Sequence, residues 1–219
     1  MRANTKSTRP LKVMFTDFAY FNRYTKSQLY TPLGIGFIAQ YAKQKFGNEI
    51  DVSLHKEIDK FFDSTKETAP DVVGIALYYW NNEINRYVVK KLRKMFGSKV
   101  TIVIGGPSID SDINQQKIFL TKSFPEVDAI VINEGEIAFS NILEKILSDK
   151  KTAFTDPVDG LSFIQGDKVI SGRPIGTSTD ISKLGSPYLS GLMDDFMHSD
   201  YQPLVQTSRF CPYTCAFCV

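Results

Sequence analysis

The stretch "DVVGIALYYWNNEINRYVVKKLRKMFGSKVTIVIGGPS", residues 71–108, contains one full repeat of the architecture. Its two ends, "DVVGIALYY" (71–79) and "KVTIVIGG" (99–106), are near-continuous apolar runs, the pattern of strands covered on both faces. Between them, "NEINRYVVKKLRKMF" (82–96) repeats apolar residues at three- and four-residue spacing, as an amphipathic helix does. Gly97 then stands where a left-handed C-cap is usual. Strand, helix and strand in that order make a parallel βαβ unit.

The same alternation extends in both directions. Further strands are expected at "LKVMFTD" (11–17), "IDVSLH" (50–55) and "VDAIVIN" (127–133), and further helices at "LGIGFIAQYAKQKF" (33–46), followed by Gly47, and "EIAFSNILEKILSD" (136–149). Five such units predict an α/β fold: a doubly wound, flavodoxin-like (Rossmann-type) five-stranded parallel sheet with strand order 2-1-3-4-5. Right-handed crossovers place any ligand at the carboxyl ends of the strands. The residues to inspect are therefore Asp17 to Tyr20, Tyr79 to Asn81, Gly105 to Ser108 and Asn133 to Glu136. Each group is also ordinary turn or helix-start chemistry.

After Lys151 the composition changes. "GLSFIQGDKVISG" (160–172) reads as a small hairpin, "RPIGTSTDISKLGSPYLSGLMDDF" (173–196) as a linker or wrapping segment, and "YQPLVQTSRF" (201–210) as a short strand. The expected organisation is an α/β domain over 1–150, hairpin and linker over 151–200, and the start of a second domain over 201–219.

The 219 residues are 42% hydrophobic, enough to bury a substantial core. Lys and Arg total 26 against 24 Asp and Glu, a net charge of +2 that supplies no field for nucleic acid or an anionic membrane. "MRANTKSTR" (1–9) leads into no apolar stretch of signal-peptide length, and no run approaches membrane-spanning length, so a cytoplasmic location is expected.

All three cysteines, Cys211, Cys215 and Cys218, fall within the terminal "CPYTCAFCV". Thiols clustered in this way suit zinc or an iron–sulfur cluster better than a disulfide scaffold. Structural zinc needs four ligands, and the nearest histidine is His198. A 4Fe-4S cluster on three cysteines instead leaves one iron open to a substrate or cofactor. A receiver domain would need an acceptor Asp at the end of the third strand, which here reads "LYYWNN". A non-catalytic flavodoxin-like binding module with a zinc-binding tail is the remaining alternative.

"SRFCPYTCAFC" (208–218) resembles the signature of radical S-adenosylmethionine enzymes. "TPLGIGFIAQYAK" (31–43), "DVVGIA" (71–76), "VIGGPS" (103–108), "VINEGE" (131–136) and "GLSF" (160–163) are similar, in order and separation, to the cobalamin-type domain of the B12-binding subclass. The resemblance implies that Cys211, Cys215 and Cys218 ligate a 4Fe-4S cluster and that Phe217 lies by the adenine of S-adenosyl-L-methionine, where it could equally be packing on the cluster loop. Reduction of such a cluster, by a donor such as a flavodoxin or ferredoxin, releases methionine and a 5′-deoxyadenosyl radical. In this subclass the radical chemistry is often joined to methyl transfer through methylcobalamin. Methylthiotransferases are disfavoured because their N-terminal domains carry cysteines, and this chain has none before Cys211.

For cobalamin, the resemblance implies close approach at Leu33 and Gly34 and a wall from Tyr79 and Trp80. It further implies backbone access at Gly105 and Gly106, with Glu134 and Gly135 beside the corrin amides. Leu33 reads equally as core, and Trp80 as an interdomain anchor. The cobalt-ligating Asp-x-His-x-x-Gly motif is absent; the nearest stretch is "DVSLHKEID" (51–59), where His55 reads as a surface or satisfied histidine. No catalytic side chain is assigned, and the substrate is left open. A radical β/α barrel needs more residues than follow the cysteines, so the chain is expected to be the N-terminal part of a longer enzyme and inactive by itself.

Overall fold

Alternate residues of each central strand face opposite ways, and both sets are apolar. Val72 and Val73 are each fully buried, and they enter different cores. Such strands need cover on both sides. In a computed structural model that describes residues 9–20, 29–176, 180–197 and 201–209, the helices supply it.

The order is β1 (Leu11–Thr16), β2 (Leu29–Tyr30), α1 (Leu33–Phe46), β3 (Ile50–His55), α2 (Ile58–Glu67), β4 (Val72–Ala76), α3 (Asn82–Phe96), β5 (Thr101–Gly105), α4 (Ile113–Ile118), β6 (Ala129–Val131), α5 (Gly135–Asp149), β7 (Leu161–Gln165), β8 (Lys168–Ser171), α6 (Asp194–Met197) and β9 (Tyr201–Gln202). The main sheet runs β3-β1-β4-β5-β6-β7-β8. Its first five strands are parallel, in the expected 2-1-3-4-5 order, with Val13 opposite Val72 and Phe15 opposite Gly74. One face packs on α1 and α5 through Ile35, Ala39, Phe139 and Ile142. The other packs on α2, α3 and the turn after α4 through Phe61, Val88, Leu92 and Leu120.

The sheet has seven strands rather than five. The hairpin β7–β8 pairs antiparallel to β6, with Leu161 opposite Val131. Leu161 and Phe163 enter the α1/α5 core from this edge, and their burial holds the hairpin there. A second departure lies at the helix ends. Gly47 and Gly97 do take positive φ, 53° and 56°, but their ψ values of −122° and −138° lie outside the left-handed helical region. Each donates its N–H four residues back, to Lys43 and Arg93, and the chain continues into a short 3₁₀ turn.

At the amino end of the sheet, Arg93 donates to the carbonyls of Glu126 at 2.7 Å and Val100 at 2.8 Å. Its partner Asp128 also accepts from the Ile102 N–H at 2.7 Å. Residues 181–197 wrap against α1, where Leu184, Met193 and Phe196 cover Leu33 and Phe37. Within the described residues 201–209, the strand expected over 201–210 is confined to β9, which pairs parallel to β2. Among the described residues, no helix is long and apolar enough to cross a membrane.

Candidate functional site

At the carboxyl ends of β1, β4, β5 and β6 the chain turns into loops, and α1 and α5 begin beside them. Between these ends lies a cavity of about 960 Å³, at the upper end of the usual range for small-molecule sites. It reaches inward past the strand ends, between the sheet and α1/α5, to Phe15, Gly74, Val103 and Phe139. That inner part is an apolar slot. Gly74 keeps it open within the strand: a Cβ there would stand 2.7 Å from the Phe15 ring and 2.8 Å from that of Phe139, which pair at 4.7 Å. Gly106 shapes the mouth, with φ 126° and a Cβ position only 2.5 Å from the Leu77 carbonyl oxygen. No other residue type fits that backbone easily.

Of the residues singled out by sequence, Leu33, Gly34, Gly105, Gly106, Glu134 and Gly135 all line the cavity. Leu33 also belongs to the core cluster under residues 181–197. Tyr79 and Trp80 lie outside the lining, 83% and 48% exposed. The ring that does line it is Tyr78, on which Trp80 stacks at 4.4 Å and 7°. Cys211, Cys215, Cys218 and Phe217 lie outside the described residues. Among the described residues, no group of three or more His, Cys, Asp or Glu is placed to hold a metal ion.

Tyr78 is fixed by a buried amide network. Its N–H donates to Asn81 Oδ1 at 2.9 Å, and Asn81 Nδ2 donates to the carbonyls of Ala76 at 3.1 Å and Phe18 at 3.3 Å. Asn85 Nδ2 donates in turn to Asn81 Oδ1 at 2.9 Å. Burial, with Asp17 nearby, pushes the Tyr78 phenol up to about 12, so it remains a neutral hydrogen-bonding group. Behind it, Lys56 and Asp17 form a largely buried ion pair at 2.9 Å. His55 lies away from the cavity, bonded to Ser53 at 2.9 Å and edge-on to Phe61, and burial lowers its pKa to about 4.

The charged side of the mouth is at the start of α5. Asn133 adopts φ 65°, a conformation Asn tolerates, and turns β6 into the helix. Glu134 and Glu136 follow at the helix N-terminus, where carboxylates are favoured. Both face Arg209. Its Nη2 donates to Glu136 at 2.5 Å, its Nη1 is 3.4 Å from Glu134, and its guanidinium lies 5.5 Å from the Phe37 ring centre. The Nη1 contact has ion-pair distance without hydrogen-bond geometry. Burial opposes the Arg209 charge, yet the two carboxylates outweigh it and hold the pKa above its ordinary value. Leu204 to Arg209 thus run along the mouth of the cavity.

Sequence reading missed Tyr78, the slot residues and Arg209. A glycine inside the apolar run "VVGIA" was a signal for the slot, because mid-strand glycine marks close approach. Tyr78 is still extended while Tyr79 opens a short 3₁₀ turn, and nothing in "LYYWNN" marks that break. Nothing local signalled Arg209, whose partners are 73 and 75 residues earlier in the chain. Among the described residues, the cavity lining holds no histidine and no cysteine. It is a glycine-rimmed mouth over an apolar slot, suited to holding a large ligand.

A family profile described as the B12 binding domain matches residues 25–143. The chain is 29% identical, over 86% of its length, to the cobalamin-dependent radical SAM methyltransferase TokK of Streptomyces tokunonensis. It is 30% identical, again over 86%, to 2-(S-pantetheinyl)-carbapenam-3-carboxylate methyltransferase of Streptantibioticus cattleyicolor. An uncharacterized methyltransferase of Pyrococcus horikoshii is 27% identical over 85% of the chain. These alignments cover 28%, 28% and 40% of the three relatives' own lengths.

Proposed function

Because this chain belongs to the B12 binding domain family, we propose that its cavity takes cobalamin. We further propose that the chain acts within a radical S-adenosylmethionine enzyme in which Cys211, Cys215 and Cys218 hold a 4Fe-4S cluster. The observation that carries the first half is the continuation of the glycine-rimmed mouth into an apolar slot beside Gly74. Cobalamin has a broad amide-fringed ring and a pendant nucleotide base, and it asks for both features. Gly34, Gly105, Gly106 and Gly135 let backbone approach the ring face, and Glu134 accepts from its amide fringe. The slot between Phe15, Val103 and Phe139 receives the base. Tyr78, held by Asn81, bounds one side. No histidine lines the cavity among the described residues, so the lining offers cobalt no imidazole.

When bound, these groups would supply a transferable methyl and a 5′-deoxyadenosyl radical. The residues described here bind, orient and exclude water. Phe217 is assigned to the adenine of S-adenosyl-L-methionine by resemblance. Electrons would come from a flavodoxin or ferredoxin, in the cytoplasm. The barrel and the substrate-reading residues are assigned to sequence corresponding to the part of the relatives that this chain does not span.

The two halves are tested separately. Retention of hydroxocobalamin by the 219-residue chain tests the cavity. In the whole enzyme, reconstituted anaerobically with iron and sulfide, Cys215→Ala should abolish cleavage of S-adenosylmethionine; normal cleavage without that thiol would sink the cluster assignment.

A further inference from the structure

Among the described residues, Arg209 is the one cation lining the cavity. Its side chain is only 10% exposed, as is typical of groups built into a core. Glu136 is 4% exposed, and its carboxylate pairs with Arg209. Glu134 completes a two-carboxylate clamp, Phe37 offers a ring face, and Gln206 accepts from Nε at 3.2 Å. A guanidinium can satisfy two carboxylates and an aromatic face at once. Removing it would leave the buried Glu136 carboxylate without its ion-pair partner, which is unfavourable.

The clamp joins two parts of the chain that matter separately. Glu134 and Glu136 flank Gly135 at the rim of the cavity, while Arg209 ends the segment that runs along its mouth. At its other end, Leu204 N–H donates to Thr31 Oγ1 at 3.0 Å and to the Tyr188 hydroxyl at 3.1 Å, and its carbonyl accepts from that hydroxyl at 2.7 Å. Val205 is 74% exposed. The segment is thus anchored at Leu204, exposed at Val205, and pinned again at Arg209.

We propose that Arg209 is a positioning residue whose clamp by Glu134 and Glu136 straps residues 204–209 across the mouth of the cavity. The clamp thereby governs ligand exchange. The ligand-exchange part rests on the cobalamin reading; the strap itself does not.

Trypsin tests the strap in the ligand-free chain, because it must take the Arg209 side chain into its own pocket. Cleavage after Arg209 should be slow relative to cleavage after Lys183, whose side chain is 79% exposed. It should speed up about tenfold or more in Glu136→Gln, since cleavage follows the open population. Arg209→Lys keeps the charge and the cleavage site but cannot span both carboxylates, so it should also be cut faster. Circular dichroism melting identifies any variant that is simply unfolded, and Glu134→Gln then serves as the milder substitute.

The second readout is release of hydroxocobalamin from preloaded chain, which should be about tenfold faster in Glu136→Gln. Wild-type Arg209 cut as fast as Lys183, or equal cutting in wild type and folded Glu136→Gln, would overturn the strap. Faster cutting with unchanged hydroxocobalamin release would overturn its control of exchange. A wild-type chain that retains no hydroxocobalamin would refute the cobalamin reading, and trypsin alone would then decide the role of Arg209.

Discussion

At the scale of single residues, backbone shape and burial set the sharpest expectations. Gly106→Ala places a Cβ against the Leu77 carbonyl at a φ that side-chain-bearing residues avoid. It should lower stability by about 2–4 kcal/mol in urea unfolding, and an unchanged midpoint would contradict this. His55 makes stability depend on pH. Above pH 6.5 its ring is neutral in both states. Between 6.5 and about 4 the unfolded chain takes up a proton that the folded one refuses, so stability falls on acidification. The fall should approach about 1.4 kcal/mol per pH unit and should flatten in His55→Gln between pH 6.5 and 5. A slope identical to wild type would contradict the assignment. Legibility at this scale followed the chain's local rules. The paired glycines 105 and 106 stood out because a strand ends in them, whereas Tyr78 was passed over for neighbours one or two places away, which lie in a short 3₁₀ turn past the strand end.

At the scale of elements, the amide network under Tyr78 joins β4 to α3. Asn81→Ala removes the acceptor of the Tyr78 N–H and the donors to Ala76 and Phe18, from a side chain that is itself fully buried. A cost of about 2–3 kcal/mol is expected in chemical denaturation. Trp80, the only tryptophan, stacks on Tyr78, so its emission should shift in the folded variant; an unaltered spectrum would show that Asn81 does not hold the loop. The helices over 33–46 and 82–96 were readable to the residue, because their period and following glycines are local signals. The hairpin's place in the sheet was not, since β7 pairs with β6 across some thirty residues and nothing in "GLSFIQ" names that partner. Likewise the strand expected over 201–210 shrank to two residues because its remaining partners are side chains of Thr31, Tyr188 and Glu136.

At the scale of the molecule, five parallel strands cross between two cores, and the cavity opens where the order of connection reverses, beside β1 and β4. Ligands in open α/β sheets bind at that point. The slot beneath the mouth comes from the absence of a side chain at Gly74, and the rim from the loops after β5 and β6. The central claim is that mouth and slot hold the ring and the nucleotide base of one ligand. Its most direct test is equilibrium dialysis of the 219-residue chain against hydroxocobalamin and against cobinamide, which keeps the corrin ring but lacks the nucleotide. The account predicts saturable binding of one equivalent of hydroxocobalamin and binding of cobinamide weaker by about tenfold or more. Failure to retain hydroxocobalamin, or equal affinity for the two corrins, would contradict it.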